Sequence, residues 1–179
     1  TTTHSNLQMA CNWMLHLRTA SAEAARRLVV IAEDTASANA LQPILTRRHL
    51  ADARAAIKAL RQSGTAPSLD VDMHAARPAS YHTTRFHDLM ALRPWYVLRF
   101  LRLSVGVLFS DTDYVWMRDV VPHFVRNKAP HDGSALDLMM VNDRWLPDSA
   151  RVKFACGCLF YAAPTERARA VMSAWGNRL

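Results

Sequence analysis

This 179-residue sequence predicts an α/β fold, with a mostly parallel sheet flanked by helices. Three observations carry that reading. Short apolar runs rich in β-branched and aromatic residues alternate with stretches of helical spacing. Prolines stand near the starts of two of those helices, at Pro94 and Pro164, where a missing N–H is tolerated. The composition is 50% hydrophobic and 21% charged with only 5 Gly and 8 Pro, enough apolar material for one packed domain spanning residues 1–179. Fibrous, collagen-like and low-complexity classes are excluded.

The elements follow in order. Ala10, Trp13, Met14 and Leu17 recur at helical spacing over residues 7–19. Leu28-Val29-Val30-Ile31-Ala32 reads as a strand ending in Glu33-Asp34. Leu50, Ala53, Ile57 and Leu60 mark a helix over 48–62, and residues 64–87 show no periodicity and read as a long irregular connection. A helix over about 93–103 carries Pro94 in its first turn, with Trp95, Leu98, Leu101 and Leu103 inward and Arg99 and Arg102 outward. Val105-Gly106-Val107-Leu108-Phe109 is a continuous apolar run, expected of a strand buried on both faces. Leu136–Val141 and Gly157–Tyr161 supply further strands, and Pro164 opens a last helix through Trp175.

The net charge is +7, and its basic side is 19 Arg to 3 Lys. Arginine suits bidentate contacts to phosphate or carboxylate, so the bias fits an anionic ligand, although a GC-rich genome inflates Arg and Ala as well. The acidic side is 12 Asp to 3 Glu. Cys11, Cys156 and Cys158 are odd in number and contain no CxxC pair, which argues against a zinc site or a disulfide framework. No apolar run approaches the roughly 20 residues of a membrane span. No signal-peptide pattern is present, and the first residue is Thr1.

In open α/β sheets ligands collect at the carboxyl ends of strands. Asp111 and Asp113 stand just beyond the Val105–Phe109 run, offering four hard oxygens close together. Both carboxylates stay ionised most readily with a cation between them. Mg²⁺ or Mn²⁺ answers this need, since such ions combine a few carboxylates with substrate phosphates. Asp70-Val71-Asp72 repeats the spacing, but no apolar strand precedes it. His82, His87 and His123 show neither HxH nor HExxH spacing, so a surface or core role is favoured for them.

Two known designs share a strand followed by this pair. The stretch Asp111-Thr112-Asp113-Tyr114-Val115 fits the first motif of haloacid-dehalogenase-type phosphatases, in which the first Asp is the nucleophile and the second the acid/base. The later lysine and paired acids of that design find no counterpart beyond Lys128 and Lys153. The other fit is longer. Residues 107–119, VLFSDTDYVWMRD, resemble the DxD region of the nucleotide-diphospho-sugar transferase family that includes plant arabinosyl- and xylosyltransferases. That family's pattern is an apolar strand, then D-x-D-x-x-W-[LM]-R-D-P; here Val120 and Val121 precede Pro122. Residues 137–143, DLMMVND, resemble its strand ending in an acid. Residues 154–161, FACGCLFY, with Thr165, Arg167 and Trp175, resemble its N-T-G-F-x-Y, T-x-R and Trp, with Ala155-Cys156 in place of Asn-Thr. The Asn12-Trp13 helix and the Leu28–Asp34 strand are similar to its opening.

The resemblance implies a GT-A-like (Rossmann-like) glycosyltransferase fold, C-terminally incomplete here, that moves a sugar from a UDP-sugar to a glycan or glycoprotein acceptor. It implies Mn²⁺ or Mg²⁺ at Asp111 and Asp113, with Asp113 the more direct ligand and Asp111 nearer the ribose or a metal-bound water. It places Asp34 at the base or ribose and Asp143, as the catalytic position, near the donor sugar or acceptor. Gly157 would let backbone approach the substrate, and Arg93 would contact phosphate. A Golgi lumenal location follows, with any membrane anchor outside this chain and no nucleic-acid partner. Against these stand plainer roles: Asp34 as a helix N-cap, Asn142-Asp143 as a turn, Arg118 and Asp119 as a surface pair, Trp116 and Trp175 as core. A basic module for RNA or another polyanion is the non-enzyme alternative, but the arginines are spread along the chain and form no RNP, KH or zinc-finger pattern.

Overall fold

A computed structural model describes residues 6–32, 35–41, 83–128, 133–142 and 155–178. These fall into two compact units, one drawn from Thr1–Asp88 and Thr112–Asp119, the other from Leu89–Asp111 and Val120–Leu179. The helix expected over 48–62 and the second acid pair at Asp70 and Asp72 lie outside the described residues.

In the first unit, α1 (Leu7–Ala20) buries Ala10, Trp13 and Leu17 of the predicted stripe, with Met14 half-buried. Trp13 meets Trp116 edge-to-face at 5.9 Å between ring centroids, a geometry the ring quadrupoles favour. The helix stops where Ser21 turns extended (φ −154°, ψ 102°) and caps α2 (Ala22–Arg26) by accepting from the Ala24 N–H at 3.1 Å. The same hydroxyl donates to Asp119 Oδ2 at 2.9 Å. Asp119 is thereby tied to a helix start, where a surface pair with Arg118 was the plainer expectation. α3 (Thr35–Leu41) buries Ser37 and Leu41.

The strand expected over Leu28–Ala32 does not form; Leu28–Ile31 are irregular and Ala32 makes only an isolated bridge. A short apolar run without alternation does not by itself specify a strand. Here Val29 is 37% exposed, so the run is not sandwiched between two layers.

Among the described residues the larger core lies in the second unit. The helix α4 (Thr84–Arg102), which belongs to this unit from Leu89 onward, starts well before the expected residue 93 and keeps Pro94 inside. A mid-helix proline forgoes one i→i−4 hydrogen bond. Burial offsets that loss here, because Pro94, Val97, Leu98 and Leu101 are all buried along one side of the helix. The apolar period therefore runs through the proline. α4 ends in a Schellman-type turn, with Val105 N–H donating to Phe100 O at 3.1 Å and Ser104 in the left-handed region at φ 59°. Glycine is the residue that region suits. Ser104→Gly is expected to add about 0.5–1 kcal/mol, less what the freer unfolded chain takes back. A raised urea midpoint at unchanged m-value checks this.

The sheet consists of β1 (Val107–Ser110), β2 (Leu138–Asn142) and β3 (Ala155–Ala162), ordered β1-β3-β2. Both pairings are antiparallel, with Phe109 opposite Phe160 on one side and Met140 opposite Phe160 on the other. This corrects the expectation of a mostly parallel sheet among the described strands. β1 and β2, separated by a helix in the chain, do run the same way, but β3 returns between them. β1 is also shorter than expected, since Val105 is 48% exposed and only Phe109 is buried along the strand.

Two helices complete the unit. α5 (Val121–Arg126) carries Pro122 in its first turn and buries Phe124. α6 (Glu166–Gly176) is capped by Thr165, whose hydroxyl accepts from the Ala168 N–H at 3.2 Å, so Pro164 precedes the cap and does not open the helix. Val97, Leu98, Leu101, Phe109, Phe160, Ala162, Ala168 and Met172 form the core, with Trp95 and Trp175 packed against it.

Candidate functional site

The carboxyl end of β1 gathers three of the predicted site residues. Asp111 follows the strand directly, and its N–H donates to the Cys158 carbonyl at 2.7 Å, prolonging the β1–β3 ladder by one step. Arg93, reaching from α4, pairs its Nη2 with Asp111 Oδ1 at 2.7 Å. Its Nη1 donates to the Gly157 carbonyl at 3.2 Å, and its guanidinium lies over the Phe109 ring, 5.4 Å from the centroid. Arg93 and Asp111 are only 13% and 21% exposed, so this pair is held by geometry rather than left to solvent. Charge-assisted contacts of this kind are short and directional.

Asp113 follows two residues on in the chain and is exposed, within the first unit. Asp34 and Asp143 lie outside the described residues. His87 and His123 are exposed, and no group of three or more His, Cys, Asp or Glu side chains able to hold a metal occurs among the described residues. A divalent ion held by the protein alone therefore finds no cage there. An exposed carboxylate at Asp113 does fit the other mode, one or two carboxylates completed by substrate phosphates and water.

Gly157 turns out to serve a neighbour inside the unit. A methyl group on it would lie 3.1 Å from the Trp175 ring, so the close approach that glycine permits here is made by that indole. Trp175 in turn tilts against Phe160 at 5.6 Å. Its partly buried packing matches the core role expected for it.

Two features of this region escaped the sequence reading. Cys156 and Cys158 are joined by a disulfide across Gly157, where the cysteine count had argued against a disulfide framework. Pairing between residues two apart in a strand needs a local contraction, and β3 has one: Val141 pairs with Cys156 while Met140 pairs with Phe160. The C-x-C spacing was the available signal. Arg167 pairs with Asp137 at 2.9 Å, with the arginine largely exposed. The acid that starts one quoted motif thus meets the arginine of the next.

The family model described as nucleotide-diphospho-sugar transferase matches residues 23–179. An Arabidopsis thaliana UDP-D-xylose:L-fucose alpha-1,3-D-xylosyltransferase is 28% identical over 107 residues, covering 56% of this chain and 28% of the relative. UDP-D-xylose:L-fucose alpha-1,3-D-xylosyltransferase 1 from the same plant is 29% identical over 107 residues, covering 56% and 29%. The form named MGP4 is 27% identical over 101 residues, covering 52% and 27%. The matched stretch thus spans under a third of each of these relatives. No solved structure shows a significant match. Among the described residues no helix is long and apolar enough to cross a membrane.

Proposed function

Because this chain belongs to the nucleotide-diphospho-sugar transferase family, we propose that it transfers a pentosyl or hexosyl group from a UDP-sugar to a glycan or glycoprotein acceptor. A pentose is the donor sugar that the xylosyltransferase relatives favour. The observation that carries the reading is the Arg93–Asp111 pair at the end of β1, inside the stretch that the family model matches. It fixes the first acid of the DxD, and on this reading the donor diphosphate lies near it.

Departure of UDP leaves charge on a diphosphate, and a divalent ion bound there would neutralise it as a Lewis acid. In this chain Asp113 would hold Mn²⁺ or Mg²⁺ by one carboxylate, leaving the remaining positions to phosphate oxygens and water. Asp111 has Arg93 as its counter-charge, so its task is to accept from the ribose or a metal-bound water. Arg93 holds that carboxylate in place. Asp34 would meet the base or ribose, and Asp143 the donor sugar or acceptor. A Golgi lumenal setting belongs to the same reading.

A calorimetric panel of UDP-sugars, with and without Mn²⁺, tests it. Binding is expected only with Mn²⁺, and Asp113→Ala should weaken it on the order of 100-fold, the scale of losing a charged ligand. Equal binding by Asp113→Ala and the parent chain would remove the DxD from the mechanism.

A further inference from the structure

The tripeptide Cys156-Gly157-Cys158 carries both anchors of the Arg93–Asp111 pair. The Gly157 carbonyl accepts from Arg93 at 3.2 Å, and the Cys158 carbonyl accepts from the Asp111 N–H at 2.7 Å. The two cysteines are bridged, with their Cα atoms 5.2 Å apart. Two residues of regular strand span about 6.6 Å, so the bridged segment is contracted along β3. The contraction coincides with the break in register against β2, where Cys156 and Phe160 face consecutive residues. The bridge and the backbone that positions Arg93 and Asp111 are therefore one local structure.

Two further properties bear on how such a bridge behaves. Both cysteines are partly exposed, so small thiols reach them. The covalent loop encloses a single residue, and a loop that short restricts the unfolded chain least, which makes its bridge easier to reduce than one closing a long loop.

We propose that Cys156 and Cys158 form a reversible redox-modification site, and that opening the bridge loosens the carbonyls to which Arg93 and Asp111 are tied. The co-reactant is a dithiol. One of its thiolates attacks one bridge sulfur, giving a mixed disulfide and releasing the other cysteine as thiolate, which takes up a proton. The second thiol of the reductant then displaces the remaining cysteine, so two electrons and two protons pass to the protein and the reductant leaves as a disulfide. Glutathione disulfide reverses the exchange. The effect on donor binding rests on the proposed function; the coupling to Arg93 does not.

The test uses the full chain, oxidised with glutathione disulfide or reduced with dithiothreitol, then alkylated and weighed by mass spectrometry. One adduct, at Cys11, is expected in the oxidised chain and three in the reduced chain, with return to one on reoxidation. Thermal unfolding of Arg93→Met is then compared with that of the parent in both states, with Arg93→Lys as a second variant should the first fail to fold. The loss of melting temperature should be larger in the oxidised state, where the carbonyl that Arg93 holds is braced. UDP with Mn²⁺ should bind about tenfold less tightly after reduction, the scale of one hydrogen bond to a charged group. Three adducts after glutathione-disulfide treatment would overturn the site, and equal losses of melting temperature in both states would overturn the coupling. A difference in melting loss without UDP binding in either state would keep this proposal and remove the donor reading.

Discussion

Replacing Arg93 by methionine is expected to cost about 3 kcal/mol of folding stability, read by chemical denaturation. Both members of the Arg93–Asp111 pair are mostly buried. Removing one partner of such a pair leaves a charge without compensation, at about 3–5 kcal/mol, and the residual exposure here places the effect at the lower end. The Gly157 carbonyl loses its donor in the same step. Asp111→Asn in the Arg93→Met background should recover part of the loss, because the stranded charge goes with it. A double-mutant cycle then gives a coupling of about 1–3 kcal/mol. Additive single effects would mean that the two side chains act independently despite the 2.7 Å approach.

Phe160→Ala is expected to be the most damaging core substitution, at about 3–5 kcal/mol. Phe160 is 0% exposed and lies on the central strand, paired with Phe109 on one side and Met140 on the other. Its ring stacks on Phe109 at 5.1 Å and meets Trp175 at 5.6 Å. Truncation opens a cavity lined by those rings, which cannot collapse without moving β1 and α6. Against a total stability of about 5–15 kcal/mol, this approaches loss of the folded state at raised temperature. A fall in melting temperature of a few degrees or less would show that Phe109 and Trp175 close over the gap.

The two substitutions bear on what a sequence discloses. The inward stripe of α1 was legible because a helix repeats locally, and Ala10, Trp13 and Leu17 need nothing distant to declare their face. The acid at the end of β1 was legible for the same reason: the apolar run stops where the polar pair begins. That Asp111 pairs with Arg93 was not, since the guanidinium arrives from a helix whose course past Pro94 hid its length. Proline statistics describe where helices tolerate the ring, and a buried apolar face overrode them. Strand order was hidden for a related reason. Alternating helices and strands suggest parallel neighbours, but which strand lies between the others depends on contacts remote in sequence. The Leu28–Ala32 run failed in the opposite direction, since β propensity without a second layer leaves a segment irregular. The match to transferases rests on residues 23–179, while Asp34 and Asp143, two acids assigned by resemblance, lie outside the described residues.

The placement of β3 between β1 and β2 has a consequence for how the chain is made. The strand that pairs with both others is the last of the three to leave the ribosome. At about 5–20 residues per second, β1 waits several seconds for its partner, and β2 waits too. During that interval the edges that β1 and β2 present to β3 stand bare, a state open to association with another nascent chain. The described sheet closes only once residues 155–162 have been made, so slower translation through residues 143–162 lengthens that interval.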